Sequence, residues 1–225
     1  MGHTSGFSRN HKTNAIALYY RIPLQDGIDF RVIEILKKNT RIQSIGAQPK
    51  NMERALLGGG CFWCTEGAFK GLYGVESALP AYAGGHDPNP RYEPVCSGTT
   101  GHAEIVEVVF DPDLIPFETL LEVFFTVHDP TQFNRQGNDI GSQYRSCIMP
   151  TTEQQVDTAR LTIEKMQEFY DRPIVTSVEE ATYFTLAEEY HYDYYARNPG
   201  QGYCMAVVGP KLSKVRAKHA HLYIA

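Results

Sequence analysis

From residue 54 onward, apolar and polar positions alternate in blocks that predict a regular succession of elements. A short apolar run at residues 54–57 (RALL) predicts a strand, which Gly58, Gly59 and Gly60 break. Residues 61–71 predict a helix, with Phe62, Phe69 and Tyr73 near one face at spacings of seven and four. Residues 75–83 predict a second strand, and a turn-rich loop then runs from Gly84 to Gly101. Residues 104–110 carry three valines and predict a third strand. Pro116 opens a helix at a favourable first-turn position. Phe117, Leu120, Leu121, Phe124 and Phe125 follow at helical spacing, and Asp129 and Pro130 end the run. Residues 144–149 predict a fourth strand.

The predicted order is strand, helix, strand, strand, helix, strand. That is the split βαβ pattern of an α+β, ferredoxin-like two-layer sandwich. The rest reads as a C-terminal extension. A helix starts at Glu153, with Thr151 as its N-cap and Gln154 closing a capping box. Residues 174–182 read as extended and residues 188–196 as helical. A flexible, glycine-containing connection at 198–202 leads to Tyr203 and Cys204.

Residues 1–50 do not share this regularity. The first thirteen are polar, and Met52 stands just ahead of the first strand. Residues 1–50 are therefore read as an appendage and residues 51–225 as the catalytic domain. No apolar run approaches the length of a membrane span, so no membrane partner is expected. A net charge of -5 without a Lys/Arg cluster argues against nucleic acid. Five cysteines, an odd number, do not suggest a disulfide framework in a chain of this length. They point to a reducing, cytoplasmic setting, with an organellar address in residues 1–50 left open. A monomer is expected.

The chemistry concentrates at the glycine turn. Cys61 sits where a strand passes through glycines into a helix, so it faces the positive end of the helix dipole. Unpaired N–H groups there favour a thiolate, and a depressed pKa is expected. Phe62 and Trp63, the only tryptophan, would wall that sulfur in an apolar pocket suited to a methyl group. Cys61 and Cys64 also form a Cys-x-x-Cys pair, open to a dithiol role. No second such pair exists to complete a zinc site, so no metal is expected. Glu104 shares a strand face with Val106, Val108 and Phe110. A carboxyl at the edge of an apolar face should be harder to ionise and can serve as a general acid. Tyr92 and Tyr144 can donate hydrogen bonds to a polarised oxygen, and Asp139 sits in a tight loop between them in the sequence. Cys147 reads as a small buried hydrophobe, and Cys96, among turn residues, carries no assigned role.

These motifs occur in one order: residues 60–63 (GCFW), 89–98 (NPRYEPVCSG), 100–104 (TGHAE), 128–130 (HDP), 135–139 (RQGND) and 143–146 (QYRS). Together they resemble the peptide methionine sulfoxide reductase A family over about residues 53–208. The resemblance implies reduction of methionine S-sulfoxide, free or in proteins, with Cys61 as the nucleophile that becomes a sulfenic acid. It implies Phe62 and Trp63 as the methyl pocket, with His102 of the TGHAE motif also at the substrate. Glu104 would be the acid, Tyr92 and Tyr144 partners of the sulfoxide oxygen, and Asp139 a supporting polar group. It implies no bound cofactor, and thioredoxin, or a dithiol in its place, as external reductant. The GYC segment at 202–204 matches the family's resolving cysteine. A second C-terminal cysteine is missing, and Cys64 stands where many members have glycine. Resolution by Cys204, the favoured route, and participation of Cys64, alone or as a relay, therefore both stay open.

Overall fold

The computed structural model of this 225-residue chain describes residues 51–224. Residues 1–50, read above as an appendage, and residue 225 lie outside the described part. Strand β1 spans Glu53–Gly59, helix α1 Phe62–Phe69, strand β2 Val75–Ala83, helix α2 Tyr92–Cys96, strand β3 Ala103–Phe110 and helix α3 Phe117–Val127. Two short strands, β4 (Arg135–Gln136) and β5 (Asp139–Ile140), make a separate hairpin. Strand β6 (Ser146–Met149), helix α4 (Glu153–Gln167), strands β7 (Ser177–Val178) and β8 (Thr185–Leu186), helix α5 (Tyr194–Arg197) and helix α6 (Gly209–Lys218) complete the order.

The main sheet runs β7-β6-β1-β3-β2-β8. Every neighbouring pair is antiparallel except β6 and β7. Alternation along the strands explains its two faces. Ala55 and Leu57 of β1, with Val106, Val108 and Phe110 of β3, join one large core. Helices α1 and α3 supply Phe62, Phe69, Leu120, Leu121 and Phe124 to it. Each fully buried Leu or Phe there contributes about 2 kcal/mol through apolar area removed from water. Leu56, Ile105, Cys147 and Met149 point to the opposite face, where Phe184 packs over them. The fold is thus a mixed α/β arrangement of one sheet with helices.

Several predicted boundaries move. The glycine run does not break β1, because Gly58 and Gly59 still pair with Cys147 and Ser146 of β6. The strand tolerates no side chain there: a Cβ on Gly58 would lie 2.7 Å from Cys147 Sγ. Tyr73 lies beyond the end of α1 and is exposed. The fourth strand starts at Ser146 because residues Ser142–Tyr144 form a 3-10 turn. The N-cap of α4 is Thr152, whose hydroxyl accepts from Gln155 N–H, while Gln155 Oε1 accepts from Thr151 N–H at 3.0 Å. The cap is therefore one residue later than Thr151 and Gln154, and the returning side-chain bond reaches Thr151 N–H rather than the N–H of the cap residue itself. Within 174–182, only Ser177–Val178 is strand. The predicted helix at 188–196 is split into a 3-10 turn (Glu189–His191) and α5 by Asp193, whose φ of 55° is left-handed. The connection at 198–202 runs directly into a π-helical turn, Cys204–Val208, continuous with α6, so Cys204 is buried in the core rather than carried on a loop.

Candidate active site

The turn out of β1 sets the site. Gly60 has a φ of 89°, and a Cβ there would lie 2.6 Å from Gln136 Cβ. Only glycine meets both conditions. The chain then places Cys61 at the N-cap of α1, just outside the helix, with Cys64 on the first turn. Cys64 N–H donates to the Cys61 carbonyl at 3.1 Å. Phe62 N–H, one of the helix's orphan donors, points to Glu104 Oε2 at 3.2 Å. Glu104 is 2% exposed, and Cys61 is 6% exposed.

A cleft of about 250 Å³ brings together Cys61, Phe62, Trp63, Tyr92, Glu104, Asp139 and Tyr144. These are seven of the residues singled out from the sequence. A more spacious cleft of about 440 Å³ lies beside His128 and Lys211, but no thiol lines it. Cys64 and Cys204 do not line the cleft, and both are fully buried. His102 does not line it: its Nε2 pairs with the Asp87 carbonyl at 2.9 Å under the turn at Gly85. Tyr203 and Gln201 do line it, and the sequence reading assigned neither a role there. Tyr203 donates to Asp139 Oδ2 at 2.6 Å, and its oxygen is also in hydrogen-bond contact with the Cys61 sulfur. Its adjacency to Cys204 in the sequence was the one available signal. The indole of Trp63 stacks on Tyr194, with centroids 3.8 Å apart and planes at 7°, so the methyl-sized wall is built from both ends of the domain.

The electrostatics correct one expectation. The Cys61 thiol is not depressed: burial pushes it well above the ordinary thiol range, reinforced by the neighbouring Cys64. Cys64 is the thiol pulled down, first by its hydrogen bond with Cys61 and further by the charge of Lys211. Desolvation outweighs the helix terminus here because α1 is only eight residues long and its first free N–H is directed at Glu104. Glu104 behaves as expected. Burial, then the proximity of Cys61, push its carboxyl well above the usual range, against the opposing Phe62 hydrogen bond. The resting site therefore favours the neutral forms of both the thiol and the carboxylic acid. Tyr92 and Tyr144 are pushed up by burial and stay phenolic donors.

All five cysteines are free thiols. Among the described residues, no group of three or more His, Cys, Asp or Glu side chains could hold a metal ion, and no helix is long and apolar enough to cross a membrane.

Known proteins resemble this chain in sequence and in fold. A family model described as peptide methionine sulfoxide reductase matches residues 53–223. A Deinococcus radiodurans protein named peptide methionine sulfoxide reductase MsrA is 53% identical over 176 residues, covering 77% of this chain and 85% of its own length. A Chromobacterium violaceum protein of the same name is 53% identical over 173 residues, covering 76% of this chain and 98% of its own. Among solved structures, Mxr1 of Saccharomyces cerevisiae in reduced form superposes with a TM-score of 0.65 at 32% identity, covering 72% of this chain and 94% of that one. Methionine sulfoxide reductase A of Corynebacterium diphtheriae gives 0.61 at 39% identity, covering 68% and 77%. With the match extending over nearly all the described residues, the chain belongs to the peptide methionine sulfoxide reductase A family of oxidoreductases.

Proposed function

We propose that residues 51–225 form a catalytic domain that reduces methionine S-sulfoxide, free or in proteins, to methionine. One observation carries this reading: Cys61 and Glu104 share the buried end of a cleft walled by Phe62 and Trp63, and Phe62 N–H ties the two together. Sulfoxide sulfur is a poor electrophile until its oxygen gains a proton. Glu104 gives that proton, while the hydroxyls of Tyr92 and Tyr144 hydrogen-bond to the same oxygen. The Cys61 sulfur attacks the sulfoxide sulfur, forming a sulfur–sulfur bond as the thiol proton passes to Glu104 and restores it. The protonated oxygen then shifts to the Cys61 sulfur, and its bond to the substrate sulfur breaks. The sulfur–sulfur bond breaks with its electron pair going to the thioether, which leaves reduced by two electrons while Cys61 is left as a sulfenic acid. Asp139, through Tyr203, holds the wall facing the nucleophile. The strand order β6-β1-β3-β2, with α1 and α3 on one face, supports a ferredoxin-like sandwich as the frame.

The geometry favours Cys64 over Cys204 for the next step. Cys61 and Cys64 occupy the N-cap and first turn of α1, where a disulfide needs little rearrangement, and Cys64 is the more acidic thiol. Cys204 is pinned on its π-helical turn, its N–H bonded to Gln201 Oε1 at 3.0 Å. In this reading Cys64 attacks the sulfenic sulfur, water leaves, and the disulfide is reduced by thioredoxin. Cys204 takes no part in this step.

Two measurements test these steps. With a dithiol as reductant, the S epimer should be consumed and the R epimer at least ~100-fold more slowly, the scale of a pocket contact misplaced by inversion; equal rates contradict the reading. Cys64→Ser should reduce its first equivalent normally and then fall ~10-fold or more in thioredoxin-driven turnover, since a missing attacking thiol leaves only intermolecular rescue. Full turnover by Cys64→Ser, with stalling of Cys204→Ser instead, returns the role to Cys204.

A further inference from the structure

Helix α2 carries Tyr92 into the cleft, yet its own N-cap residue, Arg91, gives it no side-chain cap. The missing acceptor comes from 96 residues away: Tyr92 N–H donates to Glu188 Oε1 at 3.1 Å. The other carboxylate oxygen, Oε2, accepts from Tyr82 O–H at 2.9 Å, on strand β2 opposite Glu104. It also stands 3.8 Å from His191 Nε2. Indole N–H can only donate, so the Trp63 Nε1 contact of 3.3 Å makes His191 Nδ1 an acceptor. The ring's one proton therefore sits on Nε2, the atom that faces Glu188. Burial keeps this imidazole neutral, with its pKa drawn down to about 4. The His191 ring itself packs between those of Phe62, at 4.9 Å, and Tyr92, at 4.5 Å.

We propose that Glu188 is a positioning residue for sulfoxide reduction, its carboxylate seating the Tyr92 hydroxyl over the substrate oxygen by fixing the start of α2 and the His191 ring behind it. This rests on the reading of Tyr92 as a hydrogen-bond donor to that oxygen. Glu188 touches neither substrate nor sulfur, since it does not line the cleft. It acts by removing freedom from a five-residue helix too short to hold its own register. The structure offers no nearer acceptor for that N–H among the described hydrogen bonds. Burial works against the Glu188 charge, but hydrogen bonds from its own N–H, from Tyr92 N–H and from Tyr82 together hold its carboxyl below the usual range.

The test is a double-mutant cycle on single-turnover reduction of methionine S-sulfoxide, using Glu188→Ala, Tyr92→Phe and the pair. The expected result is a loss of ~10-fold for Glu188→Ala, on the scale of one misaligned transition-state hydrogen bond. Alkylation of Cys61 should stay at the normal rate. In the Tyr92→Phe background, the further loss from Glu188→Ala should shrink to less than ~2-fold, because the hydroxyl being seated is already gone. Glu188→Gln keeps one acceptor oxygen on an isosteric frame. It should recover part of the rate, and it carries the test if the alanine variant fails to fold. Tyr92→Phe slowed, with Glu188 variants at full rate or multiplying their loss onto it, overturns the proposal and leaves the reading of Tyr92 standing. Tyr92→Phe at full rate overturns both.

Discussion

Cys61→Ser is expected to abolish sulfoxide reduction while leaving the fold intact. The loss should be roughly 10⁴-fold or more, the scale on which removal of a covalent nucleophile is felt. Neither remaining neighbour can substitute. Cys64 lies a turn further into α1 and does not line the cleft, and Cys204 is buried on the π-helical turn. Serine differs from cysteine by one atom, and the site already satisfies a polar group there through Tyr203, so melting should shift little. The check is turnover with a dithiol alongside a thermal melt. Activity above about 1% of the unsubstituted protein, far over the residue that loss of a nucleophile leaves, with a normal melt, would mean that another group attacks the sulfur.

Glu104→Gln should slow the sulfoxide step by about 10²–10⁴-fold, the range attributed to general acid catalysis. Glutamine keeps the shape and can still accept from Phe62 N–H, but it has no proton to give. Rates of Cys61 alkylation should therefore barely change. The pH profile separates the two roles. Glu104 is held well above the usual carboxylate range, so its acid form survives to higher pH than that of an ordinary carboxyl and disappears as pH rises through that elevated value. The reduction rate of the unsubstituted protein should fall along that alkaline limb, and the limb should vanish in Glu104→Gln. Stability follows the same sign. A buried carboxyl with a raised pKa favours the fold fully below its unfolded value and loses that contribution as pH rises. Glu104→Gln should thus gain melting temperature relative to the parent as the solution becomes alkaline. Unchanged reduction rates would remove Glu104 from the chemistry.

What could be read from the sequence was whatever depends on local pattern. Alternation in β3 assigned Glu104 to the face of Val106, Val108 and Phe110 and so placed it beside the core, where the structure has it. The glycine turn announced that Cys61 meets a helix start, and Gly60 shows why nothing larger fits. The parts that were not legible are made by contacts between distant segments. The seating of Tyr203 on Asp139 joins residues 64 apart, and that of Tyr92 on Glu188 joins residues 96 apart. Asp193 takes a left-handed conformation at a position whose neighbours favour helix; the buried Glu66 carboxylate holds its N–H at 2.7 Å. Burial is equally nonlocal, which is why the helix start at Cys61 suggested a depressed thiol and the packed site produces a raised one. His102 shared a motif with Glu104 yet turned under the neighbouring loop, because position in a motif does not fix where a side chain points.

The account rests on oxygen passing from a sulfoxide to Cys61 under the control of Glu104. Its most direct test uses the variant lacking both the Cys64 and Cys204 thiols, mixed in a single turnover with each separated epimer of methionine sulfoxide. A sulfenic-acid-trapping 1,3-diketone is present, and peptide mass mapping follows. The account predicts methionine from the S epimer alone, in a one-to-one ratio with the protein, and the trapped adduct on the peptide bearing Cys61. Methionine produced while that peptide stays unmodified would contradict it.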